Sequence, residues 1–397
     1  MELLACCGMA DVAASAPRVE NLLRQEIDWT LLVRLALAHG MSPLLARGLE
    51  HVPGEVPPDI LEALRSHLED NRARNLTLVR FLFDLVDALG SIGVDAIPFK
   101  GPVLGAVAYG DFSLRRAGDL DILVRPNDVS RVCDWLSGAG FRELTEVWTG
   151  RPLSALEDAA YRRHQCEYEF VRQSDDVVVD LHWAIAPAAL AVPLDYPALW
   201  RRSRRECLLD RQVPALAHED LLVLLSIHGT KHEWAELRWI SDLAGMIARH
   251  PGIDLEAALA RAFDWGCGRM LLVGLGLGRR LLGIQLSHAV ARRVDEDHSV
   301  AALVRGISTR LLRGKRVAAP ERVSLLLIRI RERRRDQVRY VARTLLTPRV
   351  EHMRLLPLPG PARGLYVPIK LACDVLLDPL WRVTKRVQSL AERATKR

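Results

Sequence analysis

Between about residues 92 and 185 this chain loses the helical period that governs the rest of it, and that change constrains the fold more than any other feature of the sequence. IGVDAIPFKG reads as a strand ending at Gly101, PVLGAVAYG as a short helix with Pro102 in its first turn, and DLDILVRP as a second strand stopped by Pro126. NDVSRVCDWLSGAG follows as a helix, with Asn127 as its N-cap and Gly140 near its end. CEYEFVRQSDDVVVDLHWAI then supplies two strands around a polar turn, a hairpin. Strand, helix, strand, helix, strand, strand makes a compact α/β unit.

On either side the apolar spacing is three and four. It appears before the unit in DWTLLVRLALAHG and NRARNLTLVRFLFDLVDALGSIG, which the prolines of HVPGEVPPD separate. It returns after it in HEDLLVLLSIHGTKHEWAELRWISDLAGMIARH and later segments, until LLPLPGPARG at 355–364 breaks the pattern ahead of a last basic helix. The predicted fold is therefore α+β: a small mixed-sheet core over 92–185, an N-terminal helical cap over 1–91 and a C-terminal helical region over 186–397. At 397 residues and 49% hydrophobic content, there is ample material for a core.

Within the core, Asp119 and Asp121 interrupt an apolar strand, where carboxylates are least welcome. Alternation puts both on one side, about 6.6 Å apart along a strand. Their repulsion is then about 2.5 kcal/mol at an effective dielectric of 20 and about 0.6 kcal/mol in water. A partly buried pair of this kind calls for a cation. Asp180, in VVVDLHW, repeats the signature. Three carboxylates at one sheet edge form a hard-oxygen site suited to Mg²⁺ or Mn²⁺, ions that bridge to nucleotide phosphates.

FKGPVLG, RRAGDLDILV and VVVDLHW together resemble the polymerase-β-type nucleotidyltransferase superfamily. With LAHGMSPLLARGL upstream and HGTKHEWAELRWISDLA downstream, they are more closely similar to a largely uncharacterised bacterial nucleotidyltransferase family, and more distantly to AbiEii-type toxin nucleotidyltransferases. The resemblance covers most of the chain, and its specific part is residues 99–124 and 177–183. It implies a nucleotidyltransferase core and transfer of a nucleoside monophosphate from an NTP to a hydroxyl acceptor, with release of pyrophosphate. It also implies that Asp119, Asp121 and Asp180 hold Mg²⁺ (or Mn²⁺), that Gly101 makes the phosphate-facing turn, and that Lys100 and Arg115 face the triphosphate. His182 shares the face of Asp180 and is a substrate-side candidate. One departure is Pro102, where the superfamily has a second Gly or Ser; proline has no N–H to offer a phosphate.

Two other classes stay open: a catalytically silent relative that binds a nucleotide or a partner, and a DxD glycosyltransferase. His228 and His232 stand one helical turn apart, but HGTKH lacks the internal glutamate of a zinc protease, which favours a structural or substrate-orienting role. Lys231, Arg238 and Asp242 on the same segment are candidates to border the cleft.

Charge bears on the acceptor. Lys+Arg 55 against Asp+Glu 49 leaves only +6, with basic clusters at Arg201–Arg205, Arg329–Arg335 and the last dozen residues. No run of aromatics accompanies them to stack on bases. A small molecule or biosynthetic intermediate is the expected acceptor, and RNA, including the tRNA of a toxin-like enzyme, is the less favoured one. The seven scattered cysteines lack metal-ligand spacing and suggest reduced thiols in a cytoplasmic protein. No stretch reads as a membrane span: LLVGLGLGRRLLGI and GLYVPIKLACDVLLDPLW are each broken by charge.

Overall fold

The computed structural model describes residues 1–8, 12–52, 54, 56–149, 151–313, 323–348, 358 and 364–373. Five helices come first: α1 (Glu2–Cys7), α2 (Val12–Leu23), α3 (Trp29–Ala38), α4 (Ser42–Glu50) and α5 (Pro58–Ser91). Pro58 sits in the first turn of α5, where its missing N–H is not needed. Leu78, Leu82, Leu85 and Leu89 then give α5 the apolar stripe that buries it.

The period change becomes a five-stranded sheet. Its strands are β1 (Ala96–Pro98), β2 (Leu120–Val124), β3 (Arg142–Glu143), β4 (Glu167–Arg172) and β5 (Val177–His182), in the spatial order β1-β2-β5-β4-β3. Only the β2–β5 pair is parallel, so the sheet is mixed as expected. Between the strands lie α6 (Gly101–Tyr109), α7 (Val129–Gly138), α8 (Leu144–Thr149) and α9 (Ala155–His164). The N-cap of α7 is Asp128 and not Asn127, because Pro126–Asp128 first forms a single 3₁₀ turn. The sequence reading is silent on β3, α8 and α9, although Ser154 and Glu157 form the capping box that starts α9.

Beyond the sheet come α10 (Tyr196–Arg202), β6 (Arg204–Leu208), β7 (Arg211–Ala215), α11 (His218–Lys231), α12 (Leu237–Arg249), α13 (Leu255–Asp264), α14 (Gly268–Leu282), α15 (His288–Glu296), α16 (His298–Leu312), α17 (Leu325–Arg329), α18 (Arg334–Leu346) and α19 (Tyr366–Ala372). The β6–β7 hairpin corrects the expectation of an all-helical continuation after 186. Its two-residue turn is Leu209–Asp210, with Leu209 at φ +55°, and it lacks the glycine that ordinarily signals such a turn. The apolar run LLVGLGLG is buried in α14, and no described helix is long and apolar enough to cross a membrane. The last basic helix, and Lys385, Arg386, Arg393, Lys396 and Arg397, lie outside the described residues. Buried apolar side chains from Leu3 to Tyr340 form one continuous cluster that runs through the sheet and the helices on both sides of it.

Two features place the site. Asn75, buried in mid-helix, donates from Nδ2 to Phe112 O (2.7 Å) and Arg115 O (2.8 Å), Asn71 donates to Ser113 O (2.5 Å), and Arg74 donates to Gly118 O (2.9 Å). Helix α5 thus pins the loop that delivers Asp119 to the head of β2. Helix α12 meets α6 at Gly245, where a Cβ would come within 2.7 Å of Ala108 O. That close approach brings the first turns of α12 over the sheet.

Candidate active site

Strand register makes the site. Asp121 pairs with Asp180 across β2–β5, and Asp180 pairs with Glu169 across β5–β4; in the next row Leu123, His182 and Glu167 align. The alternate positions, Leu120, Val179 and Phe170, then Ile122, Leu181 and Tyr168, are all buried and apolar. One sheet face is therefore core, and the other carries four acidic side chains and an imidazole.

Each carboxylate is held differently. Lys100 Nζ lies 2.5 Å from Asp121 Oδ1, and His182 Nε2 lies 3.1 Å from the same oxygen. Burial alone would raise the Asp121 pKa, but the Lys100 charge and the His182 hydrogen bond outweigh it and hold this carboxyl well below the ordinary range. Asp180 has no such neighbour. Its Oδ1 is buried without a hydrogen-bond partner, and burial together with Asp121, Asp119, Glu167 and Glu169 pushes its pKa up to about 9. Asp119, just before β2, is also raised, first by burial and then by Asp121.

His182 is fixed from its other side by Glu167, whose Oε2 is 3.1 Å from Nδ1, while Lys231 Nζ lies 3.5 Å from Glu167 Oε1. Burial would raise Glu167, but His182, Lys231 and Lys100 bring it below its ordinary value. A chain of polar contacts therefore runs Lys100, Asp121, His182, Glu167, Lys231.

These groups open onto a cavity of roughly 500 Å³. Lys100, Arg115, Arg116, Asp119, Asp121, Glu167 and Asp180 line it from the sheet side, Leu37, Ala38 and Gly40 from the N-terminal helices, and His228, Lys231, His232, Glu236, Arg238 and Trp239 from α11, α12 and the turn between them. Lys100, Asp119, Asp121 and Asp180 are thus brought together. His182 stands behind Asp121, and Gly101 lies off the cavity wall.

Gly101 has another task. At φ +54° its missing Cβ would come within 2.9 Å of Asp119 O, so glycine lets the start of α6 press against the backbone that carries the acidic pair. Pro102, buried in the first turn of α6, is likewise off the wall. Arg115 touches the cavity, but its Nε is 3.1 Å from Asp242 Oδ2 in a buried ion pair that Tyr109 completes with a 2.9 Å hydrogen bond to Oδ1. Asp242 therefore sits behind the cleft, whereas Lys231 and Arg238 border it. Sequence reasoning missed Glu167 and Glu169, although their alternation with Tyr168 and Phe170 in CEYEFVR was a visible signal.

Asp121, Asp180 and His182 each offer a ligand atom within 4.8 Å of the others. Paired carboxylates with one orphaned buried oxygen suit a divalent cation bound through oxygen. Asp119 borders the same cavity outside that trio.

Comparison with known proteins points the same way. Residues 25–283 match the model of a family described as uncharacterised nucleotidyltransferase. That match lends nothing to the toxin-type likeness or to a bacterial origin. None of the curated proteins matches the chain. Among solved structures it is similar to an antigenic nucleotidyltransferase-like protein from Paracoccidioides brasiliensis, at 14% identity over 59% of this chain and 93% of that one, with a TM-score of 0.32. So slight a likeness adds nothing to the assignment.

Proposed function

The chain belongs to the uncharacterised nucleotidyltransferase family, and from that premise we propose that it moves a nucleoside monophosphate from an NTP to a hydroxyl acceptor, releasing pyrophosphate. The observation that carries this reading is the register of Asp121 against Asp180 at the floor of a charged cavity. Asp121, Asp180 and Asp119 are the groups that would hold Mg²⁺ or Mn²⁺. Such a cation, when bound, neutralises phosphate charge and makes the α-phosphorus more electrophilic.

The chain's own residues supply the remainder. Lys100 and His182 hold Asp121 ionised and fixed in place. Glu167 sets the His182 ring from behind. Once ionised, Asp180 is the base that takes the proton from the acceptor hydroxyl. The oxygen–phosphorus bond forms, the bond from the α-phosphorus to the bridging oxygen breaks, and pyrophosphate carries away the electron pair.

Pro102 is the residue that would favour a silent relative, because proline has no N–H to offer a phosphate. Because Pro102 lies off the cavity wall, its missing N–H subtracts no donor from the lining. A small or biosynthetic acceptor is favoured over RNA because part of each described basic cluster is already paired with protein groups, although Arg201, Arg329, Arg334 and Arg335 stay exposed. Arg202 pairs with Asp220, Arg204 with Glu206, and Arg205 donates to Gln212 O. Arg331 is buried and Arg333 donates to Phe263 O. The test is to incubate the protein with each α-labelled NTP, Mg²⁺ or Mn²⁺ and a cell extract. Label is expected in a small-molecule fraction together with pyrophosphate. Absence of label and pyrophosphate with all four nucleotides would overturn the reading.

A further inference from the structure

An NTP has three chemically distinct parts: a polyanion, a hydroxylic sugar and a flat uncharged base. The cavity lining divides along similar lines. Its sheet side is almost wholly charged, through Lys100, Arg115, Arg116, Asp119, Asp121, Glu167 and Asp180, and Leu37, Ala38 and Gly40 are small or aliphatic. The flat side chains are confined to the opposite wall, which they share with Lys231, Glu236 and Arg238.

There His228, His232 and Trp239 make one cluster. The two imidazole centroids are 4.7 Å apart, His228 meets Trp239 edge-on at 5.5 Å, and His232 lies 5.2 Å from Trp239 at a 34° tilt. Trp239 is buried against the core and the histidines are half-buried. Neither imidazole has a hydrogen-bond partner among the described residues, in contrast to those of His182, His218 and His250, which all do. Burial, and then Lys100 for His228 and Lys231 for His232, lowers both: His228 falls well below its ordinary value and His232 to about 4. The two imidazoles are thus uncharged at neutral pH, and each keeps one donor and one acceptor nitrogen to present.

We propose that the His228–His232–Trp239 wall is the nucleobase subsite, on which the base of the NTP stacks while its phosphates lie toward the charged side. This deepens the nucleotidyltransferase reading and rests on it. HGTKH then places base contacts on either side of Lys231, which is tied to Glu167 and so to the carboxylate face. The acceptor needs only a hydroxyl and makes no demand for a flat surface.

The test is equilibrium binding of the full chain, with Mg²⁺, to ATP, GTP, CTP and UTP and to inorganic tripolyphosphate. Stacking of a base on aromatic side chains corresponds to roughly 5- to 150-fold in affinity. The preferred NTP is expected to bind more tightly than tripolyphosphate by a factor in that range. His232→Ala is expected to remove most of the difference and leave tripolyphosphate binding unchanged, and His232→Phe to keep it. Equal binding of NTP and tripolyphosphate by the wild-type chain would overturn the subsite without need of any variant. So would His232→Ala weakening both ligands alike, which would make the ring a phosphate contact. A wild-type chain that binds neither ligand would instead overturn the nucleotidyltransferase reading, and the subsite with it.

Discussion

Asp121 and Asp180 face each other across the one parallel strand pair of the sheet, yet only Asp121 has a cation, with Lys100 Nζ 2.5 Å from its Oδ1. Asp180 Oδ1 is buried without a partner. Two carboxylates in neighbouring register positions, one neutralised and one not, are a liability for a metal-free fold and an asset for binding a divalent ion.

That asymmetry fixes a pH dependence. Asp180 rises from an unfolded value near 4 to about 9 in the fold. The folded state therefore holds a proton that the unfolded state releases, and the associated stability is full at low pH and lost as pH rises through about 9. Without divalent ions, the wild-type Tm is expected to fall between about pH 6 and pH 9. Asp180→Asn should flatten that decline and gain about 1 kcal/mol or more at neutral pH, which is about 1 °C or more in Tm for a protein of this size. Thermal melts in chelator across that range check it, and a variant as pH-sensitive as wild type would count against the buried, unpaired Asp180.

Lys100 is the resident counter-charge of the site. Lys100→Ala leaves Asp121 buried without its main cation, a loss of about 3–5 kcal/mol for a buried pair. The metal-free Tm should drop, and Mn²⁺ should restore more of it in this variant than it adds to wild type. An equal Mn²⁺ shift in the two proteins would place the cation away from Asp121.

Gly101 is tested through backbone strain. Gly101→Ala puts a Cβ 2.9 Å from Asp119 O at φ +54°. A loss of about 1–3 kcal/mol is expected in urea denaturation, together with a fall in turnover, because Asp119 must move to make room. A variant with unchanged stability would show that the start of α6 has slack.

Salt separates the acceptor classes. With Arg202, Arg204, Arg205 and Arg333 already paired with protein groups, RNA binding titrated from about 50 to 200 mM salt should show a shallow slope, well short of the roughly 0.7 per phosphate contact that several contacts would add on a single strand. Tight tRNA binding with a steep slope would favour a nucleic-acid acceptor.

The sequence made the mixed sheet legible because a period of two bounded by Gly and Pro is a local signal, and GDLDILV and VVVDLHW each place an acid against that period. The partners of those acids were not legible. Lys100 and Asp121 are joined by the antiparallel β1–β2 register, and Glu167 meets His182 only because β4 and β5 pair as they do. Arg115 shows the same limit: nothing near it in the chain announces that its guanidinium is spent on Asp242, 127 residues away. The β6–β7 hairpin was hidden for a different reason, since Leu209 occupies a turn position that glycine or asparagine normally marks.

The most direct measurement is pyrophosphate release from the preferred NTP, with Mg²⁺ or Mn²⁺, by wild type, Asp121→Asn and Asp180→Asn, each first shown to be folded. Asp121→Asn should abolish turnover, and Asp180→Asn should lower kcat by at least about 100-fold, the lower range for loss of a general base, with the KM for NTP far less affected. Full activity of either variant at saturating metal would contradict the paired-carboxylate site, and with it the assignment of catalysis to the β2–β5 face.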